Sequence, residues 1–485
     1  MEPGAATPLW PAPFVGSRPV RAALTVPGSK SLTNRWLVLA AIADGPCRLR
    51  APLRSRDTEL MAQALRSLGA RVQDVPGSGD FGDDWLVTPI PSDAPDADAA
   101  RHARKTGPET TREVDCGLAG TVMRFVPALA ALVPGDTSFD GDASALRRPM
   151  GPVIEALRGL GLEVREQGGT GRLPFTVTGQ ASVAGGSLGI DASVSSQFVS
   201  ALLLVAARFA QGLELRHASP DGRGVPSMPH IEMTIEVLRQ VGVVVESSEP
   251  HVWRVSPGPV RAFDVRIEQD LSNAGPFLAA AVVTGGTVSI PRWPLRTTQG
   301  GAHWHQILPA FGAEVDLVPD DAPEVISEDA ADGSPAGTEA RTGTFTVRGP
   351  ERISGVDLDL SAAGELAPTA AAICAVAGSA SELRGIAHLR GHETDRLAAL
   401  VAEIRRLGGE AEETPDGLAI RPGALHAAEF ETYEDHRMAT AAAVIGLVVD
   451  GVRVHDIATT AKTLPQFPQL WQAMLEAPAG THGTS

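Results

Sequence analysis

The chain has 485 residues, a mass of 50.5 kDa and a net charge of −17, with 58 carboxylates against 41 Lys and Arg. That length exceeds one ordinary core and predicts about two domains, while the acidic balance argues against a nucleic-acid or anionic-membrane surface. The three cysteines, Cys47, Cys116 and Cys374, are far apart and odd in number, which points to reduced thiols in a cytoplasmic protein; no apolar run of about 20 residues predicts a membrane span, and no secretory signal is evident.

In chain order, the first predicted element is a buried, small-residue helix starting near Ser31. A more polar helix then ends in Leu65-Arg-Ser-Leu-Gly-Ala-Arg-Val72, and the alternating strand Trp85-Leu-Val-Thr88 follows. The same set recurs with a buried helix near Thr121, a Gly-terminated helix at Leu157-Arg-Gly-Leu-Gly-Leu-Glu-Val164 and a strand at 175–178. A third set starts near Ser196 and continues through Leu238-Arg-Gln-Val-Gly242 to a strand at 252–255. A fourth starts near Ser272 and runs through Leu308-Pro-Ala-Phe-Gly312 to a strand at 345–348. A fifth starts near Ala367 and runs through Ile404-Arg-Arg-Leu-Gly408 to a strand at 418–421, and a sixth buried helix starts near Arg437. Glycine suits the left-handed position just past a helix end. Helices apolar on nearly all sides must be surrounded by protein. Six such units predict two α/β domains of three units each. Residues 91–113 and 319–342, rich in Asp, Pro, Ala, Glu and Gly, read as exposed, mobile loops, and the last ten residues as a frayed tail.

Polar and charged residues collect at the starts of the buried helices: Gly28-Ser-Lys-Ser-Leu-Thr-Asn-Arg35, Ala119-Gly-Thr-Val-Met-Arg124, Ser195-Ser-Gln197, Ser272-Asn273, Glu365 and Asp435-His-Arg437. Free N–H groups and a partial positive charge at a helix N-terminus suit phosphate or carboxylate. Ser, Asn and Asp there are also ordinary caps, but caps do not account for Lys30, Arg35, Arg124 and Arg437. The rare residues fall in the same places. Of only three lysines, Lys30 and Lys462 flank these phrases and Lys105 lies in the first acidic loop; Asn34 and the single tyrosine, Tyr433, belong to them as well. Lysine is a compact point charge for which Arg does not substitute. His388-Leu-Arg-Gly-His-Glu-Thr-Asp-Arg396 holds more donors and acids than a cap needs, and suits acid/base work.

Other motifs are set aside. Gly28-Ser-Lys-Ser31 lacks the glycines of a nucleotide-binding P-loop. Gly77-Ser-Gly-Asp-Phe-Gly82 is followed by a strand and reads as a hairpin. His303-Trp-His305 has no third ligand nearby and reads as a helix surface.

Taken together, these phrases resemble the 5-enolpyruvylshikimate-3-phosphate (EPSP) synthase family of enolpyruvyl transferases. The carrying residues are Pro27-Gly-Ser-Lys-Ser31 with Asn34-Arg35, Ala119-Gly-Thr121 with Arg124, Arg147-Arg-Pro149, Val194-Ser-Ser-Gln-Phe198, His392-Glu-Thr-Asp-Arg396, Tyr433 with Asp435-His-Arg437, and Thr460-Ala-Lys-Thr463. They stand in the family's order across residues 20–475. The resemblance implies an α/β fold of two domains, each of three βαβαββ units with the buried helices inside, closing over an interdomain cleft. One domain is expected at 26–265, binding mainly shikimate 3-phosphate. The other is expected to combine 1–25 with 266–485 and to carry the acid/base and phosphoenolpyruvate-binding residues. The implied reaction transfers the enolpyruvyl group of phosphoenolpyruvate to the 5-hydroxyl of shikimate 3-phosphate and releases phosphate, in a cytoplasmic monomer with no metal or organic cofactor.

By the same resemblance, Lys30, Ser31, Arg35, Ser195, Ser196, Gln197, Ser227, Glu365, His388 and His392 bind shikimate 3-phosphate. Lys30, Gly120, Arg124, Arg148, Gln197, Arg396, Arg437 and Lys462 hold phosphoenolpyruvate, and Lys30, Glu365 and Glu393 are catalytic. Glu365 is assigned to the hydroxyl and Glu393 to the methylene carbon. Two phosphates and two carboxylates close together need several cations to offset their repulsion. The negative balance of the chain is then expected on the outer surface, and the cleft is expected to be cationic. Several positions depart from the family pattern. Leu118 stands where many members have Asn, His392 where many have Lys, His388 near a usual Asn, Glu365 for Asp and His230 for Tyr. A histidine at 392 titrates where lysine would not, so binding is expected to weaken as pH rises through neutrality. Gly120 is the residue the family associates with room for the inhibitor glyphosate. The nearest alternative is the related transferase acting on UDP-N-acetylglucosamine. Its Cys-containing loop has no counterpart here. A non-catalytic anion-binding scaffold is the alternative of another class.

Overall fold

The computed structural model of the protein describes residues 9–91, 111–321 and 341–477. The chain starts with two short strands, β1 (Leu9–Pro11) and β2 (Arg21–Ala23). Helix α1 (Lys30–Ala41) follows, capped by Ser29, whose hydroxyl accepts from the Leu32 amide at 3.4 Å. Strand β3 (Cys47–Arg50), helix α2 (Arg56–Ser67) with a Ser55/Thr58 capping box, and the hairpin β4 (Arg71–Gly79) and β5 (Gly82–Thr88) complete the first unit. The second unit is β6 (Arg112–Asp115), α3 (Gly120–Ala130), β7 (Gly135–Asp140), α4 (Gly151–Gly159), β8 (Glu163–Glu166) and β9 (Phe175–Gly179). The third is β10 (Gly186–Ile190), α5 (Gln197–Ala206), β11 (Leu213–His217), α6 (Pro229–Gln240), β12 (Val245–Glu246) and β13 (Val252–Val255). Each forms a four-stranded sheet in which two parallel strands are followed by an antiparallel hairpin.

The first unit takes its remaining strand from far along the chain. Strand β14 (Asp264–Arg266) pairs parallel with β3, and Arg50 holds Asp264 through Nη2 at 2.6 Å. The fourth unit likewise borrows β2, which pairs parallel with β15 (Thr287–Pro294) after α7 (Leu271–Thr284); α8 (Trp304–Ala310), β16 (Glu314–Pro319) and β17 (Thr342–Arg348) complete it. The fifth unit is β18 (Asp357–Asp359), α9 (Ala367–Ala375), β19 (Ser381–Arg384), α10 (Arg396–Arg406), β20 (Glu410–Glu413) and β21 (Leu418–Arg421). The sixth is shorter. Strands β22 (Glu429–Phe430) and β23 (Arg453–His455) flank α11 (His436–Gly446), β1 pairs antiparallel with β23, and α12 (Phe467–Glu476) ends the described chain.

The described residues divide into two compact units, one spanning Gly28–Ile267 and the other joining 9–27, 268–321 and 341–477. Each has its own hydrophobic core. At the centre of the first, α1, α3 and α5 pack on one another; at the centre of the second, α7, α9 and α11 do. Every residue of α3, α7, α9 and α11 is buried, as all-round apolar helices require. The five glycines that follow the more polar helices, Gly69, Gly161, Gly242, Gly312 and Gly408, all have φ between 83° and 104°, the left-handed turn the repeat predicts.

Three predicted loop boundaries are corrected. Arg112 and Glu113 already belong to β6, Pro319 ends β16, and Thr342 opens β17. Ladder pairing extends these strands into acidic sequence that composition alone assigns to loops. Residues 92–110, Lys105 included, residues 322–340 and the tail beyond 477 lie outside the described residues. All three cysteines are buried and unpaired, and burial pushes the Cys47 and Cys374 thiols up to about 12.

Candidate active site

In the Gly28–Ile267 unit the first turns of the three central helices are tied by polar contacts. Asn34 Nδ2 donates to Thr121 Oγ1 at 2.7 Å, joining α1 to α3. Arg124 Nη1 donates to Gln197 Oε1 at 2.6 Å, joining α3 to α5, and the guanidinium lies over the Phe198 ring. The N-termini of α1, α3 and α5 therefore gather at one end of this unit. Lys30, the first residue of α1, reaches the buried carboxylate of Asp57 at 3.3 Å.

Gly120, Arg124, Arg148 and Gln197 come together. A Cβ added at Gly120 would sit 3.1 Å from both Arg124 Nη1 and Arg148 Nη2. Both guanidiniums thus lie against the bare backbone at the start of α3, where the helix N–H groups are free. Arg148 donates to the Leu118 carbonyl at 3.2 Å and has no carboxylate partner among the described residues. This cation cluster can take an anion.

Arg35 departs from the simple expectation. It is only 2% exposed. Its nitrogens donate to Thr234 Oγ1 (2.8 Å), the His230 carbonyl (2.8 Å), the Ser31 carbonyl (3.0 Å) and Ser200 Oγ (3.4 Å). All four acceptors are uncharged, and burial pulls its pKa down to about 9. Arg35 braces Ser31 and joins α1 to α5 and α6, so most of its donors are spent within the protein.

Ser195, Ser196 and Gln197 follow β10, and Ser227, with φ 51°, follows β11. Both segments are tethered to one residue absent from the sequence-based site, His217. Its Nδ1 accepts from the Ala192 amide at 3.2 Å, and its Nε2 lies 2.8 Å from the Arg223 carbonyl. The sequence signal was a polar side chain at a strand end where two site-bearing loops depart.

The second unit carries a denser cluster. Glu393 sits between two cations: Lys462 Nζ at 2.5 Å on Oε1 and Arg396 Nη2 at 3.0 Å on Oε2. Arg396, the first residue of α10, also donates Nε and Nη2 to Asp435 at 2.7 and 3.2 Å. Burial lowers the Arg396 pKa, but Asp435, Glu393 and Glu365 outweigh it and the net shift is upward. Glu365 and Glu393 are therefore within electrostatic range of one guanidinium. Asp435 caps α11 by accepting from the Arg437 amide at 2.8 Å, and Arg437 Nη1 donates to the Ser272 carbonyl at 3.0 Å. The Arg437 guanidinium is held below its ordinary pKa by burial. Glu365 lies in a single 3-10 turn before α9, packed so closely on Gly300 that a Cβ there would be 2.3 Å from its Oε1. His388 is close by, its Nε2 packed against Gly364, and its ring centroid is 5.9 Å from that of His392. His392 Nδ1 is 3.3 Å from Arg396 Nη1.

Arg396, Arg437 and Lys462 stand with Glu365, Glu393 and Asp435 interleaved among them. Buried cations need partners before any ligand arrives. The sequence-based reading left out Asp57 and Glu403, the carboxylates that hold Lys30 and Tyr433, and named Asp435 without its partner Arg396. Tyr433 turns its hydroxyl to Glu403 Oε1 at 2.7 Å. Among the described residues no group of His, Cys, Asp and Glu is arranged to hold a metal, and no helix is long and apolar enough to cross a membrane.

Comparison with known proteins follows the same lines. Residues 15–471 match the family model of EPSP synthase (3-phosphoshikimate 1-carboxyvinyltransferase). A 3-phosphoshikimate 1-carboxyvinyltransferase from Kocuria rhizophila is 57% identical over 467 residues, covering 96% of each chain. The fold is similar to a solved EPSP synthase from Acinetobacter baumannii, with a TM-score of 0.73 at 23% identity over 95% of this chain and 97% of that one. It is also similar to the enolpyruvyl transferase NikO from Streptomyces tendae, with a TM-score of 0.69 at 15% identity over 97% and 98%.

Proposed function

The chain belongs to the EPSP synthase family, and from that premise we propose that it transfers the enolpyruvyl group of phosphoenolpyruvate to the 5-hydroxyl of shikimate 3-phosphate. The observation that carries this is the 57% identity, over nearly the whole chain, to a 3-phosphoshikimate 1-carboxyvinyltransferase. The clustered side chains support it, because they supply what the reaction asks for. The 5-hydroxyl oxygen bonds to C2 of phosphoenolpyruvate as a proton reaches C3, giving a tetrahedral phospho-ketal. The C2–O bond to phosphate then breaks, C3 gives up a proton and the enol ether forms.

We assign shikimate 3-phosphate mainly to the Gly28–Ile267 unit, through Lys30, Ser31, Arg35, Ser195, Ser196, Gln197 and Ser227. Glu365, His388 and His392 complete its binding set. Phosphoenolpyruvate is assigned to Gly120, Arg124, Arg148 and Gln197 with Lys30, and to Arg396, Arg437 and Lys462. Glu365 acts on the hydroxyl. Glu393 serves the methylene carbon, with Lys462 Nζ donating to its carboxylate at 2.5 Å. Lys30, beside Asp57, is the remaining proton carrier. The buried thiols fit a reducing compartment, and the reading places this activity in a cytoplasmic monomer.

The test is phosphate release from phosphoenolpyruvate. It is expected with shikimate 3-phosphate and not with UDP-N-acetylglucosamine. Release with the nucleotide sugar alone would replace this reading with its nearest alternative.

A further inference from the structure

The single tyrosine sits in a turn that nothing in the proposed chemistry requires. Tyr433 and Glu434 have φ of 55° and 57°, the only adjacent non-glycine pair with positive φ among the described residues. L side chains avoid this conformation unless the surroundings hold them in it. Here the hold comes from α10, at two points. At its first residue, Arg396 grips Asp435 through Nε and Nη2. Seven residues later, on the same face about 10 Å along the axis, the fully buried Glu403 accepts from Tyr433 Oη at 2.7 Å and from the Glu431 amide at 3.0 Å. The turn closes on itself with the Asp435 amide donating to the Thr432 carbonyl at 2.9 Å.

Asp435 leaves this turn with two tasks. It orients the Arg396 guanidinium, and it caps α11 at the amide of Arg437. We propose that Glu403 and Tyr433 are positioning residues, whose hydrogen bond fixes the 431–435 turn and, through Asp435, sets Arg396 and Arg437 for phosphoenolpyruvate. This rests on the functional reading above and extends it to two residues that touch no substrate. Arg406 Nε, from α10 itself, forms an ion pair with Glu403 Oε2 at 3.2 Å, on the oxygen that does not take the Tyr433 hydroxyl.

The experiment uses the full chain and compares Tyr433→Phe, Glu403→Gln and Arg406→Ala for kcat, both KM values and melting temperature. Tyr433→Phe is expected to raise KM for phosphoenolpyruvate by about tenfold, the scale of a misplaced binding group, with KM for shikimate 3-phosphate unchanged. Glu403→Gln is expected to do the same, and it carries the comparison if Tyr433→Phe does not fold. Arg406→Ala is expected to leave both constants unchanged. A lowered melting temperature with KM for phosphoenolpyruvate unmoved overturns the inference while leaving the functional reading intact. So does an equal rise in Arg406→Ala, which would assign the effect to the burial of Glu403 alone. Absence of phosphate release by the unsubstituted chain overturns the functional reading, and this inference with it.

Discussion

Arg396 grips Asp435 with two nitrogens, Nε to Oδ2 at 2.7 Å and Nη2 to Oδ1 at 3.2 Å, and the carboxylate is wholly buried. Removing Asp435 leaves the buried Arg396 with only Glu393, a carboxylate already shared with Lys462. Asp435→Ala is therefore expected to cost about 3–5 kcal/mol of folding stability, as read by urea denaturation. A loss of about 1 kcal/mol or less, typical of an exposed pair, would show that water reaches Arg396.

Gly120 stands where any side chain meets two cations. A methyl group there lies 3.1 Å from Arg124 Nη1 and Arg148 Nη2, and both are ends of side chains that can give way. Gly120→Ala should fold normally and raise KM for phosphoenolpyruvate several-fold, roughly 3- to 10-fold for a sub-ångström displacement. Steady-state kinetics with each substrate varied in turn checks this. An equal rise for shikimate 3-phosphate would move Gly120 out of the phosphoenolpyruvate set.

Glu393 has a cation on each oxygen, Lys462 and Arg396. Under the proposed assignment its loss removes a proton carrier, and it also takes the shared carboxylate from two cations. Glu393→Ala is expected to lower kcat by about 10²–10⁴-fold, while calorimetric affinity for shikimate 3-phosphate changes far less. Near-normal turnover would sink the catalytic assignment.

Tyr433 offers a direct optical readout, because the chain has no other tyrosine. Burial and then the hydrogen bond to Glu403 push its phenol up to about 12. The folded value lies above the unfolded one of about 10, so the contribution to stability is complete below pH 10 and is lost as pH rises toward 12. The phenolate absorbance should appear near pH 12 in the folded protein and near pH 10 in denaturant. Glu403→Gln should move the folded value downward. Coincident titrations of folded and denatured chain would contradict the Tyr433–Glu403 hydrogen bond.

Much of this was readable before any coordinates. The five repeated phrases, Leu-x-x-hydrophobic-Gly in four copies and Ile404-Arg-Arg-Leu-Gly408 in the fifth, name helix ends, because glycine alone takes the left-handed turn without strain. The all-apolar stretches starting near Thr121, Ser272 and Arg437 name buried helices by their lack of a polar face. Lys30, Arg124, Arg396 and Arg437 were legible because cations at helix starts are unusual as caps. Partners were not legible. Nothing near Arg50 in sequence points to Asp264, 214 residues away, and nothing near Arg396 points to Asp435. The pairing of β14 with β3 escaped for the same reason, and β1 and β2 were expected with the second unit only through the family resemblance, since three residues of sheet carry no signal until a neighbour is present.

By itself, then, the sequence determined the repeat, the buried helices and which polar side chains stand at their first turns. These are local matters of periodicity, capping and backbone conformation, set by residues within a few positions of each other. Only the tertiary structure decided which partners those side chains take. It spends Arg35 on four neutral oxygens, pairs Lys30 with Asp57, and interleaves Glu365, Glu393 and Asp435 among the cations. The reason is desolvation: a charge taken out of water must be met by whatever group folding brings beside it, and that group is chosen by contacts between distant parts of the chain.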